Sequence, residues 1–341
     1  MSFTEEEGQH VLPDGVKLYT KTWRVCNAYY TLFPTLCAHK ILVHTFDQRG
    51  WGRSAPTLAS QGNIGTTPQI LSDINSFIQS HLPSPLPLFL MGHSMGGQLA
   101  LHFFAHGPPQ TISALGGLLC ESPHIAFPPA AEPPWLKVLL GKLAARLFPK
   151  RKLKSKLSPK DMSRDENVVR EFERDPWNYD AVSLEGLAGL LDRAARLDRG
   201  DVVVGTGVSL WIGHGSGDRV TSVEASRRFV ERGVKRGARD WTLREFEGWF
   251  HKLHAEPNND KITFANEVAM WVLDRSRDRS STGGESGESK GAREERESEG
   301  GRNVKARESK IREEEREEEG GNGTGGEEGK RKRKDTPVAK L

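Results

Sequence analysis

Leu90-Met91-Gly92-His93-Ser94-Met95-Gly96-Gly97 decides the fold of this chain. An apolar run, residues 86–91, leads into it, and a helix-like run, residues 98–104, leads out. Between them stands Gly-x-Ser-x-Gly, so the order is strand, tight turn, helix, with a serine at the tip. Such a turn imposes strained backbone angles on Ser94, and it needs small neighbours at Gly92 and Gly96. The turn lifts the Ser94 hydroxyl clear of a sheet. The N–H of Met95, opening a helix, then points to where a negative oxygen would form. His93 completes the elbow.

Working outward, the 341 residues suffice for one large α/β domain or two modest ones. The hydrophobic fraction is 35%, low for a globular chain, because from about residue 275 almost no apolar residue occurs until the last few positions. A net charge of +3 does not argue for nucleic acid as a partner. Three cysteines, Cys26, Cys37 and Cys120, imply no disulfide framework. The acidic N-terminus has no apolar run of the secretory kind, and no stretch has the length of a membrane span. An intracellular, reducing location is expected. No His/Cys/carboxylate cluster has zinc spacing, and no cofactor is expected.

In chain order, residues 9–23 read as a hairpin about Pro13-Asp14-Gly15. Residues 40–46 are β-rich and end in a glycine-bearing loop from Asp47 to Ser54. Residues 66–81 predict a helix capped at Thr66 or Thr67, with Pro68 in its first turn. Residues 112–119 and 208–212 read as buried strands, 222–232 as a helix, 241–246 as a short strand and 260–273 as a last amphipathic helix. Strands alternating with helices predict an α/β architecture with a mostly parallel sheet and helices on both faces. The alternation stops at 128–200, where helical patterns run without a clear strand. The expected organisation is core 1–127, a helical insertion 128–200, core 201–274, and a disordered charged tail 275–341. In that tail, Lys330 to Lys334 is a basic run, either a binding patch or a solvated segment.

A serine hydroxyl needs a base to take its proton and an acid to orient that base. Asp218 follows the 208–212 strand and His251 follows the 241–246 strand, in the order Ser, Asp, His. His254, one turn on, is the rival base; His251 lies nearer the strand end. Asp47 also follows a strand but precedes the serine, and it reads as structural with Arg49 as its partner. His44, His93 and His214 read as packed or supporting groups. Gly213-x-Gly215-x-Gly217 lacks the Lys-Ser/Thr pair of a phosphate loop.

Phe46-Asp47-Gln48-Arg49-Gly50-Trp51-Gly52-Arg53-Ser54, Gly92-His93-Ser94-Met95-Gly96-Gly97, the Asp218 loop and Glu247-Gly248-Trp249-Phe250-His251-Lys252-Leu253-His254 together resemble the monoacylglycerol lipase family of fungal type, over about residues 8–274. That resemblance implies an α/β-hydrolase fold with a helical cap at 128–200. It implies Ser94 as nucleophile, Asp218 as acid, His251 as base, Met95 as one oxyanion donor, and monoacylglycerol as substrate. The chain departs from the pattern after Trp23-Arg24-Val25. There the family has a further apolar strand and a His-Gly loop giving the second oxyanion N–H, and this chain goes straight to Cys26-Asn27-Ala28. Losing one oxyanion donor typically costs about 10²–10³ in turnover. The missing strand would lie beside the Ser94 strand, so either the sheet closes a gap or the strand before Asp47 shifts.

Three readings follow: a monoacylglycerol esterase, an esterase for lysophospholipids or other small esters, and a non-catalytic lipid-binding protein of the same fold. The segment from Trp135 to Phe148 has an apolar face flanked by Lys137, Lys142 and Arg146. It reads either as a cap covering the site or as a helix docking on a lipid droplet or membrane, with the basic run 150–156 drawn to anionic headgroups.

Overall fold

The computed structural model describes residues 4–24, 31–154 and 157–282. The N-terminal hairpin is β1 (Thr4–Val11) and β2 (Lys17–Arg24). They pair antiparallel from Val11↔Lys17 to Thr4↔Arg24. Its turn is closed by Leu12 N–H donating to the Val16 carbonyl, and by the Asp14 carboxylate accepting from the Val16 N–H. Next come α1 (Leu32–Ala38), β3 (Val43–Phe46) and α2 (Thr67–Gln79). Thr66 caps α2 by accepting from the Gln69 N–H, as its sequence predicts, with Pro68 in the first turn. The segment bearing Ser94 is β4 (Leu88–His93) followed by α3 (Met95–His106).

The next apolar run begins later than its pattern suggests. Pro108-Pro109 fixes helical φ angles, so residues 109–114 form α4 (Pro109–Ala114), and the strand β5 occupies Leu115–Glu121. Then come α5 (Trp135–Leu147), β6 (Lys152–Lys154), α6 (Glu166–Arg174), β7 (Ala181–Ser183) and α7 (Leu184–Arg199). The insertion is thus not strand-free, because β6 and β7 form a short antiparallel pair. The core resumes with β8 (Leu210–Gly215), α8 (Val223–Lys235), β9 (Trp241–Phe246) and α9 (Asp260–Thr282). The expected tail therefore starts inside α9. The Lys330–Lys334 run and Cys26 lie outside the described residues.

The strand pairing holds the main departure from the expected sheet. β4, β5, β8 and β9 form a parallel four-stranded sheet in that order. β1, β2 and β3 form a separate antiparallel one. Among the described residues β3 bonds only to β2, and β4 only to β5, so no described strand closes or bridges the gap. Both sheets nevertheless lie in one layer. Phe46 of β3 and Leu88 and Leu90 of β4 pack on one core with α2, α3, α7 and α8. Val43 of β3 and Phe89 and Met91 of β4 pack on the opposite core with α1 and α9. The cost shows in burial. All of β8 and nearly all of β5 are buried, whereas every residue of β4 is only half-buried.

Candidate active site

The site is assembled at the C-terminal ends of the parallel strands. Ser94 lies between β4 and α3 with φ 54° and ψ −118°, a left-handed conformation that costs on the order of 1–3 kcal/mol in a residue with a side chain. The surroundings that hold it there are specific. The Ser94 N–H donates to the Glu121 carbonyl, and the Ser94 carbonyl accepts from the His124 and Gln98 N–H groups. Gly92 is obligatory, since a Cβ there would lie 2.3 Å from the Gly96 carbonyl oxygen. The expectation for Gly96 itself is corrected: a Cβ at Gly96 would meet nothing nearer than Gln48 Nε2 at 3.9 Å. The second crowded position is Gly97, whose Cβ would stand 3.0 Å from both Gly92 and Pro123. The helix enters by laying its first carbonyls over Gly92, so the tight pair is Gly92 and Gly97. Met95 is the first residue of α3, and its N–H has no carbonyl one turn back within the helix.

Asp218 and His251 come from the loops after β8 and β9. His251 Nδ1 donates to Asp218 Oδ2 at 2.8 Å, with both side chains buried. Asp218 is held on all sides. Its Oδ1 accepts from the Val220 and Thr221 N–H groups at 2.7 and 3.0 Å. Its Oδ2 accepts from the Thr221 hydroxyl at 2.8 Å and lies 3.2 Å from His214 Nε2. Burial by itself would raise the Asp218 pKa, but the hydrogen bonds from His214 and His251 outweigh it and hold the carboxyl far below the usual range. The glycines of the Gly213-x-Gly215-x-Gly217 stretch serve close approach. A Cβ on Gly215 would lie 2.2 Å from the Trp249 carbonyl oxygen, so the loops bearing Asp218 and His251 touch backbone to backbone.

Ser94 and His251 are linked through His93, whose ring lies 4.7 Å from that of His251 and whose Nε2 donates to the His251 carbonyl at 3.2 Å. Burial lowers the His93 pKa to about 3, against the pull of Glu121. The second nitrogen of His251 makes no hydrogen bond to the Ser94 hydroxyl, a bond that often tightens only when substrate binds. His254, the rival base, is engaged elsewhere, with Nδ1 bonded to both Glu121 oxygens at 2.7 and 2.8 Å.

The expected Asp47–Arg49 pairing is overturned. Arg49 pairs not with Asp47 but with Asp73, through two bonds of 2.8 and 2.9 Å, and with Asp14. Asp47 instead accepts from the Arg53 N–H, and burial raises its pKa. Thr221, Glu121 and His124 were not singled out by sequence reasoning. Only Thr221 carried a signal, as an Asp-x-x-Thr turn of the kind whose side chains bond their own backbone. A groove of about 500 Å³ opens beside the His251 loop, with Lys252, Asp47, Arg53, Phe172 and Trp177 among its lining residues.

Comparison with known proteins finds a family model, related sequences and related folds. A family model named Hydrolase_4 and described as "Serine aminopeptidase, S33" matches residues 23–258. A putative monoglyceride lipase of Schizosaccharomyces pombe is 31% identical over 252 residues, covering 74% of this chain and 65% of the relative. The chain thus spans about two-thirds of that protein's length. The mouse monoglyceride lipase is 27% identical over 73% of this chain and 79% of its own length. Among solved structures, a soluble variant of monoglyceride lipase from Saccharomyces cerevisiae, in complex with a substrate analogue, superposes with a TM-score of 0.71. It is 21% identical and covers 80% of this chain and 95% of that one. A Paleococcus ferrophilus monoacylglycerol lipase superposes with a TM-score of 0.62 over 81% of this chain.

Proposed function

The chain belongs to the Hydrolase_4 family, an α/β-hydrolase group, and on that premise we propose that it is a serine hydrolase cleaving carboxylic esters, with monoacylglycerol as substrate and fatty acid and glycerol as products. The observation that carries the reading is the 2.8 Å Asp218–His251 bond, at strand ends that also present the strained Ser94 elbow. In the proposed reaction His251 takes the Ser94 proton as the hydroxyl attacks the ester carbonyl. Asp218 holds the Nδ1–H of His251 and stabilises the imidazolium that forms. The Met95 N–H donates to the oxyanion. His251 then passes the proton to the leaving glycerol oxygen, and water activated by the same base releases the fatty acid. The substrate class is supported by the monoglyceride lipases among the relatives; a lysophospholipid would use the same site with a different pocket. A fluorophosphonate probe tests the reading, since it forms a covalent bond only with an activated serine. Labelling is expected at Ser94 and absent in a folded Ser94→Ala variant; equal labelling of both sinks the assignment.

The break between β3 and β4 favours a second reading, a lipid-binding protein of hydrolase fold without turnover. A folded chain that binds monoacylglycerol but takes no probe would establish it. In either case we place the protein against a lipid surface, a droplet or a membrane on the cytoplasmic side. The support is α5, whose Trp135, Leu139, Leu143, Leu147 and neighbouring Phe148 are all more than half exposed beside Lys137, Lys142 and Arg146. No helix among the described residues is long and apolar enough to cross a membrane.

A further inference from the structure

Beside the Asp218–His251 pair stands a second carboxylate–imidazole pair that the proposed reaction does not use. Glu121 ends β5 and is 1% exposed. Its Oε1 accepts from both the N–H and the Nδ1 of His254, at 3.1 and 2.7 Å, and its Oε2 from the same Nδ1 at 2.8 Å. The main-chain carbonyl of this same residue accepts the Ser94 N–H at 2.9 Å. One residue therefore grips the nucleophile elbow with its backbone and the turn after His251 with its side chain. His93 fills the space between the grips, with its ring 4.7 Å from His251 and edge-on to His254 at 5.6 Å.

A buried carboxylate is costly unless its lone pairs are taken, and here His254 takes both oxygens. Burial opposes ionisation, but the attraction of His254 and His93 prevails and holds Glu121 at about 2. Residues 247–255 contain no regular structure beyond a 3₁₀ turn at Leu253–Ala255. Backbone ties at Trp249, Phe250 and Lys252 hold the loop to Gly217, Glu256 and Met162, and the Glu121–His254 contact is the side-chain tie that joins it to the residue gripping the Ser94 N–H. Displacing a reacting group by about 1 Å can cost about 10²-fold in rate.

We propose that Glu121 and His254 are a positioning pair that fixes the distance between the Ser94 elbow and the His251 loop. The pair rests on the hydrolase reading for its consequence in turnover but not for its consequence in geometry, and two measurements separate these. The first is ester hydrolysis by Glu121→Gln, His254→Ala and the double variant. Glu121→Gln keeps one acceptor oxygen and the shape of the side chain. His254 is about a quarter exposed, so its truncation leaves the core intact. Each single change is expected to lower kcat by about 10–10²-fold with KM within about two-fold. The double variant is expected to lose no more than the worse single one, because either change alone disconnects the pair. Additive losses, or a loss confined to KM, overturn the proposal.

The second measurement needs no turnover. The Nδ1–H proton of His251, bonded to Asp218, is followed by proton NMR in folded wild type and in both single variants. It is expected to be sharp in the wild type and broadened or lost in the variants. An unchanged resonance overturns the positioning role even if kcat falls. A lost resonance in a protein without esterase activity retains the positioning role and removes the hydrolase reading.

Discussion

At Ser94 the backbone holds φ 54° because three hydrogen bonds and the Gly92 contact leave it no relaxed alternative. This makes neighbouring glycines unequal. Gly92→Ala would force a Cβ against the Gly96 carbonyl, and a destabilisation of about 1–3 kcal/mol is expected, with loss of probe labelling. Gly96→Ala has room and is expected to retain both, which a urea titration beside the labelling assay checks. Asp218 orients His251 by a charge-assisted bond, so Asp218→Asn, which keeps shape but removes the charge, is expected to lower kcat by about 10⁴-fold. Steady-state kinetics with a soluble ester measures this; a loss under ten-fold would mean that Asp218 is not the orienting acid.

Among the elements, α5 presents a row of exposed leucines and β4 is only half-buried. α5 packs on α7 but buries only Ala145, while its leucines face outward beside lysines and an arginine. Each leucine moved into a lipid interface contributes about 1.5–3 kcal/mol if fully buried there, so replacing two is a large fraction of a docking energy. Leu139→Ser with Leu143→Ser is expected to abolish cosedimentation with anionic vesicles and leave the thermal midpoint unchanged. Retained sedimentation would return α5 to the role of a simple cover. Among the described residues β4 has one unpaired edge, so its amides not bonded to β5 are expected to exchange at least about ten-fold faster than those of β5 and β8, as native-state hydrogen exchange reads directly.

For the whole molecule, buried histidines set the response to acid. Burial holds His102 and His124 at about 4 and His93 at about 3, below the ordinary value of 6.5. The unfolded chain therefore takes up protons at pH 5–6 that the folded chain does not, about three of them by this route. Stability is expected to be level above about pH 7 and to fall as pH drops through 6.5. Glu121, held at about 2 against an ordinary 4.5, works in the same direction at lower pH: its contribution is present above 4.5 and is lost as pH falls toward 2. A urea midpoint at pH 5 equal to that at pH 7.5 would contradict this. The same scale holds the divided sheet, because cores on both faces keep the two halves in one layer without backbone bonds between them.

Sequence by itself determined the elbow, the strand–helix alternation, the Thr66 cap and the placement of Asp218 and His251 after their strands, because each depends on local spacing and turn chemistry. The family resemblance, rather than the sequence alone, pointed to a gap beside β4, where among the described residues β4 pairs with β5 and β3 with β2. Tertiary structure decided the rest. Spacing from the strand end favours His251 over His254, but the bond to Asp218 itself is made only where two loops touch. Arg49 chose Asp73 over Asp47, and Glu121 became the partner of His254, through contacts 24 and 133 residues apart in the chain. The crowding at Gly97 rather than Gly96 follows from the angle at which α3 leaves the turn. Long-range partners are fixed by how helices and strands stack, and a linear pattern holds no record of that distance.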